Sequence, residues 1–174
     1  MNLFIPSQVR VQNLVLRQET GFPDDPVIRL SVAAGVATFT LRVRVPKWVA
    51  GPPVVSLNGA QLHGLPGTEP TGWITLRRRW QAGDLLQVTL PMELAVEPTP
   101  DHPAVQALTY GPVVLSGVYR ADPGALTPTL EVSSVQQTAT QPMTFGAVSG
   151  GKPVTLVPVS RAAHEYYTVY YQTV

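Results

Sequence analysis

The chain contains no cysteine, and that absence excludes disulfides, thiolate metal sites and cysteine nucleophiles at once. It leaves the compartment undecided. Charge is also scarce: Asp, Glu, Lys and Arg make up 13% of the 174 residues, about half the usual share of ~25%. The formal net charge is +1, so no strong overall field is implied. The only basic run is Arg77-Arg78-Arg79. A nucleic-acid surface needs a broader patch with interleaved aromatics, so no nucleic-acid partner is expected. No apolar run approaches the ~18 residues of a membrane span, so no membrane partner is expected either. The opening residues, Met1-Asn-Leu-Phe-Ile-Pro-Ser-Gln8, lack the basic start and long apolar region of a signal peptide. They are expected to continue from a preceding segment. No stretch has a helical period of 3.6, and no internal repeat stands out.

Proline is abundant, at 18 of 174 residues, about twice its usual ~5%. An interior proline costs a helix about 3 kcal/mol, so short strands joined by turns are favoured. Hydrophobic residues, at 44%, supply a core. The length suits one large domain or a medium domain plus a small one.

Residues 36–45 alternate cleanly. Phe39, Leu41, Val43 and Val45 share one face; Thr38, Thr40, Arg42 and Arg44 share the other. That period of two predicts a strand with one buried face, ended by Pro46, which removes a ladder donor. Val54-Val-Ser-Leu57 is a short strand. Asn58-Gly59 accepts the positive φ of a type I′ hairpin turn, and the return strand includes Leu62. Residues 63–71 are loop by composition. Trp73 onward resumes the strand pattern, Gln81-Ala-Gly-Asp84 is a turn, and Leu86, Val88, Leu90 and Met92 form a second one-faced strand. Further strands are predicted at 104–110 and 113–119, with weaker ones near 129–134, 142–148 and 153–159. The tail from His164 to Val174 is rich in β-formers.

Residues able to do bond chemistry are present but dispersed. Asp24 and Asp25 are adjacent between Pro23 and Pro26, a solvated turn in which neighbours point apart. Asp84 closes a turn, where an aspartate bonds nearby backbone. Glu93, Glu97 and Asp101 are spread through a proline-broken segment, with no spacing that sets a hydrolytic pair. His63, His102 and His164 lie far apart and lack ligand spacing. Ser7, Ser31, Ser56, Ser116, Ser133, Ser134, Ser149 and Ser160 show no nucleophile-elbow glycine pattern. Among the aromatics, Trp48 and Trp80 sit at strand ends and are expected to pack. Trp73 follows a long loop and is the better platform for a sugar ring. Tyr166/Tyr170 and Tyr167/Tyr171 form two same-face pairs, one expected to pack inward and the other to meet a partner domain.

The order of the short motifs carries more than any one of them. Asn2-Leu-Phe-Ile-Pro-Ser7 comes first, then Gln18-Glu-Thr-Gly-Phe-Pro23, Arg44-Val-Pro-Lys-Trp48, Leu57-Asn-Gly59, Trp80-Gln-Ala-Gly-Asp84, Leu90-Pro-Met92 and Ala107-Leu-Thr-Tyr-Gly-Pro-Val113. Over residues 2–118 this series resembles the β-region that follows the catalytic barrel in glycoside hydrolase family 127, the β-L-arabinofuranosidase group, long labelled a domain of unknown function. Pro142-Met-Thr-Phe145, Val154-Thr-Leu-Val-Pro158 and His164 followed by Tyr167-Thr-Val-Tyr170 resemble a small C-terminal module of some relatives. The resemblance implies an upstream (α/α) barrel, with a cysteine nucleophile, further cysteines and a glutamate around zinc, and an acidic partner. None of these transfers to a chain without cysteine.

The expected fold is therefore all-β, an antiparallel β-sandwich of jelly-roll type or two packed β modules. Residues 1–120 are the expected sandwich domain. Residues 121–174 are a small C-terminal β module that packs onto or completes it, the border falling at Ala121-Asp-Pro-Gly124. Catalytic, cofactor-binding and metal-binding residues are each expected to be none, with the family's zinc in the missing barrel. The expected function is a non-catalytic accessory region that braces the upstream catalytic domain, its partner. The alternative is a carbohydrate-binding module that uses exposed aromatics.

Overall fold

The computed structural model describes residues 1–69, 71–138, 141–162 and 166–174. These are all-β apart from one 3-10 turn, Val159–Arg161. They divide into two compact units, Met1–Met92 and Glu93–Val174.

The first unit holds β1 (Ser7–Val11), β2 (Leu14–Thr20), β3 (Val27–Ala34), β4 (Val36–Arg44), β5 (Val54–Leu57), β6 (Ala60–Leu62), β7 (Trp73–Gln81) and β8 (Leu85–Thr89). Six of them make an antiparallel sheet in the order β1-β2-β3-β8-β5-β6, and β4 and β7 pair as a separate two-stranded ribbon. The alternation of β4 is realised. Leu41, Val43 and Val45 are buried, and the intervening Thr and Arg are exposed. Strand β7 answers with buried Ile74, Leu76 and Trp80. These side chains join Leu14, Leu16, Ile28, Leu30, Leu86 and Val88 of the six-stranded sheet in one hydrophobic cluster. Strand β4 stops before Pro46 as expected, and the Val45 N–H turns to the Gly72 carbonyl. Asn58 (φ 51°) and Gly59 (φ 83°) both take the left-handed region, as a type I′ turn requires.

The second unit holds β9 (Leu94–Pro98), β10 (Gln106–Tyr110), β11 (Val113–Tyr119), β12 (Thr129–Gln137), β13 (Phe145–Ser149), β14 (Lys152–Pro158), β15 (Tyr166–Thr168) and β16 (Tyr170–Thr173). Here the pairing runs β11-β14-β13-β12-β16-β10 and returns from β10 to β11, so six strands close into a barrel. The sequence predicts an antiparallel β-sandwich of jelly-roll type or two packed β modules, and the closed barrel differs from a sandwich. Closure comes from the last strand, β16, which pairs antiparallel with β10 and parallel with β12. Closing the ring removes edges that would otherwise expose unpaired backbone groups. The compositional change near residue 121 falls on the β11–β12 connection, within this unit. The compact units divide at Met92/Glu93 because β9–β11 pair with one another and with β14–β16.

Candidate functional site

Asp84 is the most embedded acid among the described residues. It ends the β7–β8 turn and is 3% exposed. One carboxylate oxygen accepts from the Asn58 side-chain amide at 2.9 Å, and the other from the Gln81 backbone N–H at 3.0 Å. Arg78 Nη2 stands 3.4 Å away. Burial pushes this carboxyl up. The Asn58 amide, the Gln81 N–H and the Arg78 guanidinium outweigh burial and hold it below the ordinary carboxylate range. Asn58 also accepts from the Leu85 N–H at 2.8 Å. The cluster thus ties the hairpin turn to the β7–β8 turn. With both oxygens committed to donors, Asp84 fixes turns, as its position in the sequence suggests.

The ribbon splits the arginine run. Arg78 lies over the Trp80 ring at 5.1 Å from its centroid, while Arg77 and Arg79 face outward with Trp73 and Thr75. Register places Trp73 opposite Arg44, Thr75 opposite Arg42, Arg77 opposite Thr40 and Arg79 opposite Thr38. One face of the ribbon therefore carries four exposed guanidinium groups, with Trp73 at its end, 41% exposed. Gly67 packs against that end. A Cβ at Gly67 would lie 2.1 Å from the Trp73 carbonyl oxygen, so only glycine lets the loop approach this closely. Trp80 is buried with its indole N–H on the Phe39 carbonyl. Trp48 stacks on Phe22 at 5.7 Å, which in turn meets Phe4 edge-on. The separation of Trp73 from the two packing tryptophans follows the sequence.

A hollow of about 610 Å³ lies on the second unit, lined by Val118, Tyr119, Arg120, Thr155, Arg161 and Tyr166 among others. Its described lining has two guanidinium groups and two phenols but no carboxylate. Those described residues offer no acid–base pair for glycoside hydrolysis. The Tyr119 hydroxyl lies 2.9 Å from Ser149 Oγ. Burial raises this phenol, and the Ser149 contact opposes the shift. Neither tyrosine pair packs inward as a pair. Tyr171 is fully buried, while Tyr166, Tyr167 and Tyr170 are exposed, because a bend at Val169 separates β15 from β16 and sends them to different neighbours.

A family model described as the β-L-arabinofuranosidase GH127 middle domain matches residues 1–92, the span of the first compact unit. The chain belongs to the GH127 middle-domain family. Three solved structures share its fold. A GH127 β-arabinofuranosidase has a TM-score of 0.71 at 21% identity, covering 97% of this chain and 33% of that one. A glycoside hydrolase has 0.71 at 14%, covering 92% and 32%. A GH127 β-L-arabinofuranosidase from Geobacillus stearothermophilus T6 has 0.68 at 21%, covering 99% and 33%. The chain thus spans about a third of the length of each. A comparison with curated proteins finds no match.

The GH127 match stops at Met92, so the motif Ala107–Val113 that extends the resemblance toward residue 118 lies beyond it. Cysteine is absent, and among the described residues no three of His, Asp and Glu gather. His63 is on an exposed loop, and exposed His102 caps a turn through its carbonyl. His164 lies outside the described residues. Asp25 accepts from the Val27 N–H and pairs with Arg29 at 3.5 Å. Glu93, Glu97 and Asp101 are exposed. Ser116 is buried with its hydroxyl on the Val157 carbonyl.

Proposed function

We infer that this chain is a non-catalytic accessory region of a GH127-type glycoside hydrolase, a rigid β body that braces an (α/α) barrel catalytic domain preceding it. The observation that carries the reading is the middle-domain match over residues 1–92, in a chain whose described acids and histidines do not converge. On this reading, the six-stranded sheet and its covering ribbon act as a sandwich-like layer. The reactive groups lie in the part of the enzyme this chain does not span.

The N-terminal segment favours bracing. The Gln18 side-chain amide donates to the Leu3 and Ile5 carbonyls and so fixes the segment with Phe4 buried. Leu3 and Ile5 project outward at 65% and 57% exposure. Val9 on the edge strand β1 is exposed beside them in sequence. Exposed apolar groups along a sheet edge suit contact with another domain. In the parent polypeptide, the triple change Leu3→Ser, Ile5→Ser, Val9→Ser is expected to lower the barrel's melting temperature by about 5 °C. The same change in the present chain should leave its own melting temperature nearly unaltered. A parent enzyme with unchanged melting temperature and turnover would contradict bracing.

A further inference from the structure

We propose that the outward face of the β4–β7 ribbon is a binding platform for a linear anionic polysaccharide of uronic acid residues. Arg42, Arg44, Arg77 and Arg79 would pair its carboxylates, and Trp73 would stack on a sugar ring. Nine of the twelve Lys and Arg residues lie in residues 1–92, and four of those nine stand on this one face. Among the described residues none of the four makes an ion pair. Arg44 has only a 3.3 Å contact from its guanidinium to the Asn2 side-chain oxygen. No acid occupies any register position of the face.

The register keeps the charges usable. Each of Arg79, Arg77 and Arg42 is opposite a threonine, so no two guanidinium groups are directly opposed, an arrangement that is destabilising in sheets. Positions two apart on a strand are separated by about 7 Å. The four charges therefore follow one another along roughly 20 Å of ribbon. That is a line of single charges, which suits a chain bearing one carboxylate per sugar residue. Guanidinium binds carboxylate through two parallel N–H donors. The threonine hydroxyls between them can exchange hydrogen bonds with sugar hydroxyls, and the indole supplies a flat apolar face.

Other partners fit less well. A protein interface has an apolar centre with charge at the rim, whereas the only large apolar group on this face is at one end. Single-stranded nucleic acid is held by successive aromatic platforms, and this face has one.

The test titrates the whole chain with an oligogalacturonate, a neutral arabinan of similar length, dextran sulfate and single-stranded DNA. Calorimetry and tryptophan fluorescence follow binding at low and physiological salt. Saturable oligogalacturonate binding is expected, weakening as salt rises, with little response to neutral arabinan. The exposed double variant Arg42→Ala/Arg77→Ala should weaken binding at least about tenfold. Arg42→Lys/Arg77→Lys, which keeps charge but loses the two-pronged geometry, should fall between. Trp73→Ala should abolish the fluorescence response. Near-ultraviolet dichroism checks that each variant is folded. The proposal is overturned by no oligogalacturonate binding, by equal binding of neutral arabinan, by tighter binding of DNA or dextran sulfate, or by full affinity in the folded double-alanine variant.

Discussion

Tyr171→Ala is expected to destabilise the second unit by about 3–5 kcal/mol and to leave the first unit nearly untouched. The ring is fully buried inside the barrel. Its hydroxyl donates to the Thr168 carbonyl at 2.9 Å and accepts from the Gly117 N–H. Burial drives this phenol's ionisation well above its ordinary range, with nearby Tyr119 adding to the shift. The hydroxyl therefore remains a neutral donor at any ordinary pH. Alanine removes the aromatic contact and both hydrogen bonds from the strand that closes the ring, so the loss falls on the cooperative element of the barrel. All three tryptophans lie in residues 1–92 and all six tyrosines in residues 93–174, which separates the two readouts. The urea midpoint followed by tyrosine near-ultraviolet dichroism should fall by on the order of 2 M, while the tryptophan-fluorescence midpoint stays in place. Equal displacement of both signals would refute this assignment.

Asp84→Ala should produce the opposite pattern. It strands the Asn58 amide and the Gln81 N–H, two donors now satisfied by a buried carboxylate. A hydrogen bond to a charged group contributes about 1.5–3 kcal/mol, and Asn58 and Gln81 are exposed, so water recovers part of the two that are lost. Arg78 is partly exposed and can turn to water, so its lost partner adds little. The tryptophan-reported midpoint should drop by an amount corresponding to about 2–5 kcal/mol, with the tyrosine signal unmoved. The pH dependence has a fixed sign. The folded carboxyl sits below its ordinary range, so the stability it contributes is complete above the unfolded value near ~3.9. That contribution is lost as pH falls through the lower folded value. Acid should therefore weaken the first unit below about pH 4. Asp84→Asn should flatten that part of the profile. An acid limb that is identical in Asp84→Asn would show that other groups set it.

How much of this was legible varies with the element. Strand β4 was readable because its alternation is unbroken and Pro46 marks its end. The Asn58-Gly59 turn was readable because few residue pairs accept two successive left-handed conformations. The opening strands were harder. Strand β2 places Gln18 on its buried face between Leu16 and Thr20, and a polar residue there interrupts the apolar period. Strand β1 is exposed at almost every position and offers no pattern. Strand β3 carries the same alternation as β4, with Ile28, Leu30 and Val32 buried, so its residues did hold the signal. The barrel could not be anticipated, because closure depends on β16 pairing with β10 and with β12. Those are contacts across many residues that no local period encodes. The arginine face was half visible. Alternation puts Arg42 and Arg44 on one side of β4 and Arg77 and Arg79 on one side of β7. Only the β4–β7 register makes these a single surface. The lining of the hollow on the second unit came from segments with no shared motif.

The central claim, that this GH127-family chain is an accessory body without chemistry of its own, is tested most directly by its action on an aryl β-L-arabinofuranoside. The purified chain should release no aryl alcohol above the buffer rate, with or without added zinc and thiol. Sustained release that scales with chain concentration and is lost on unfolding the chain would contradict the account.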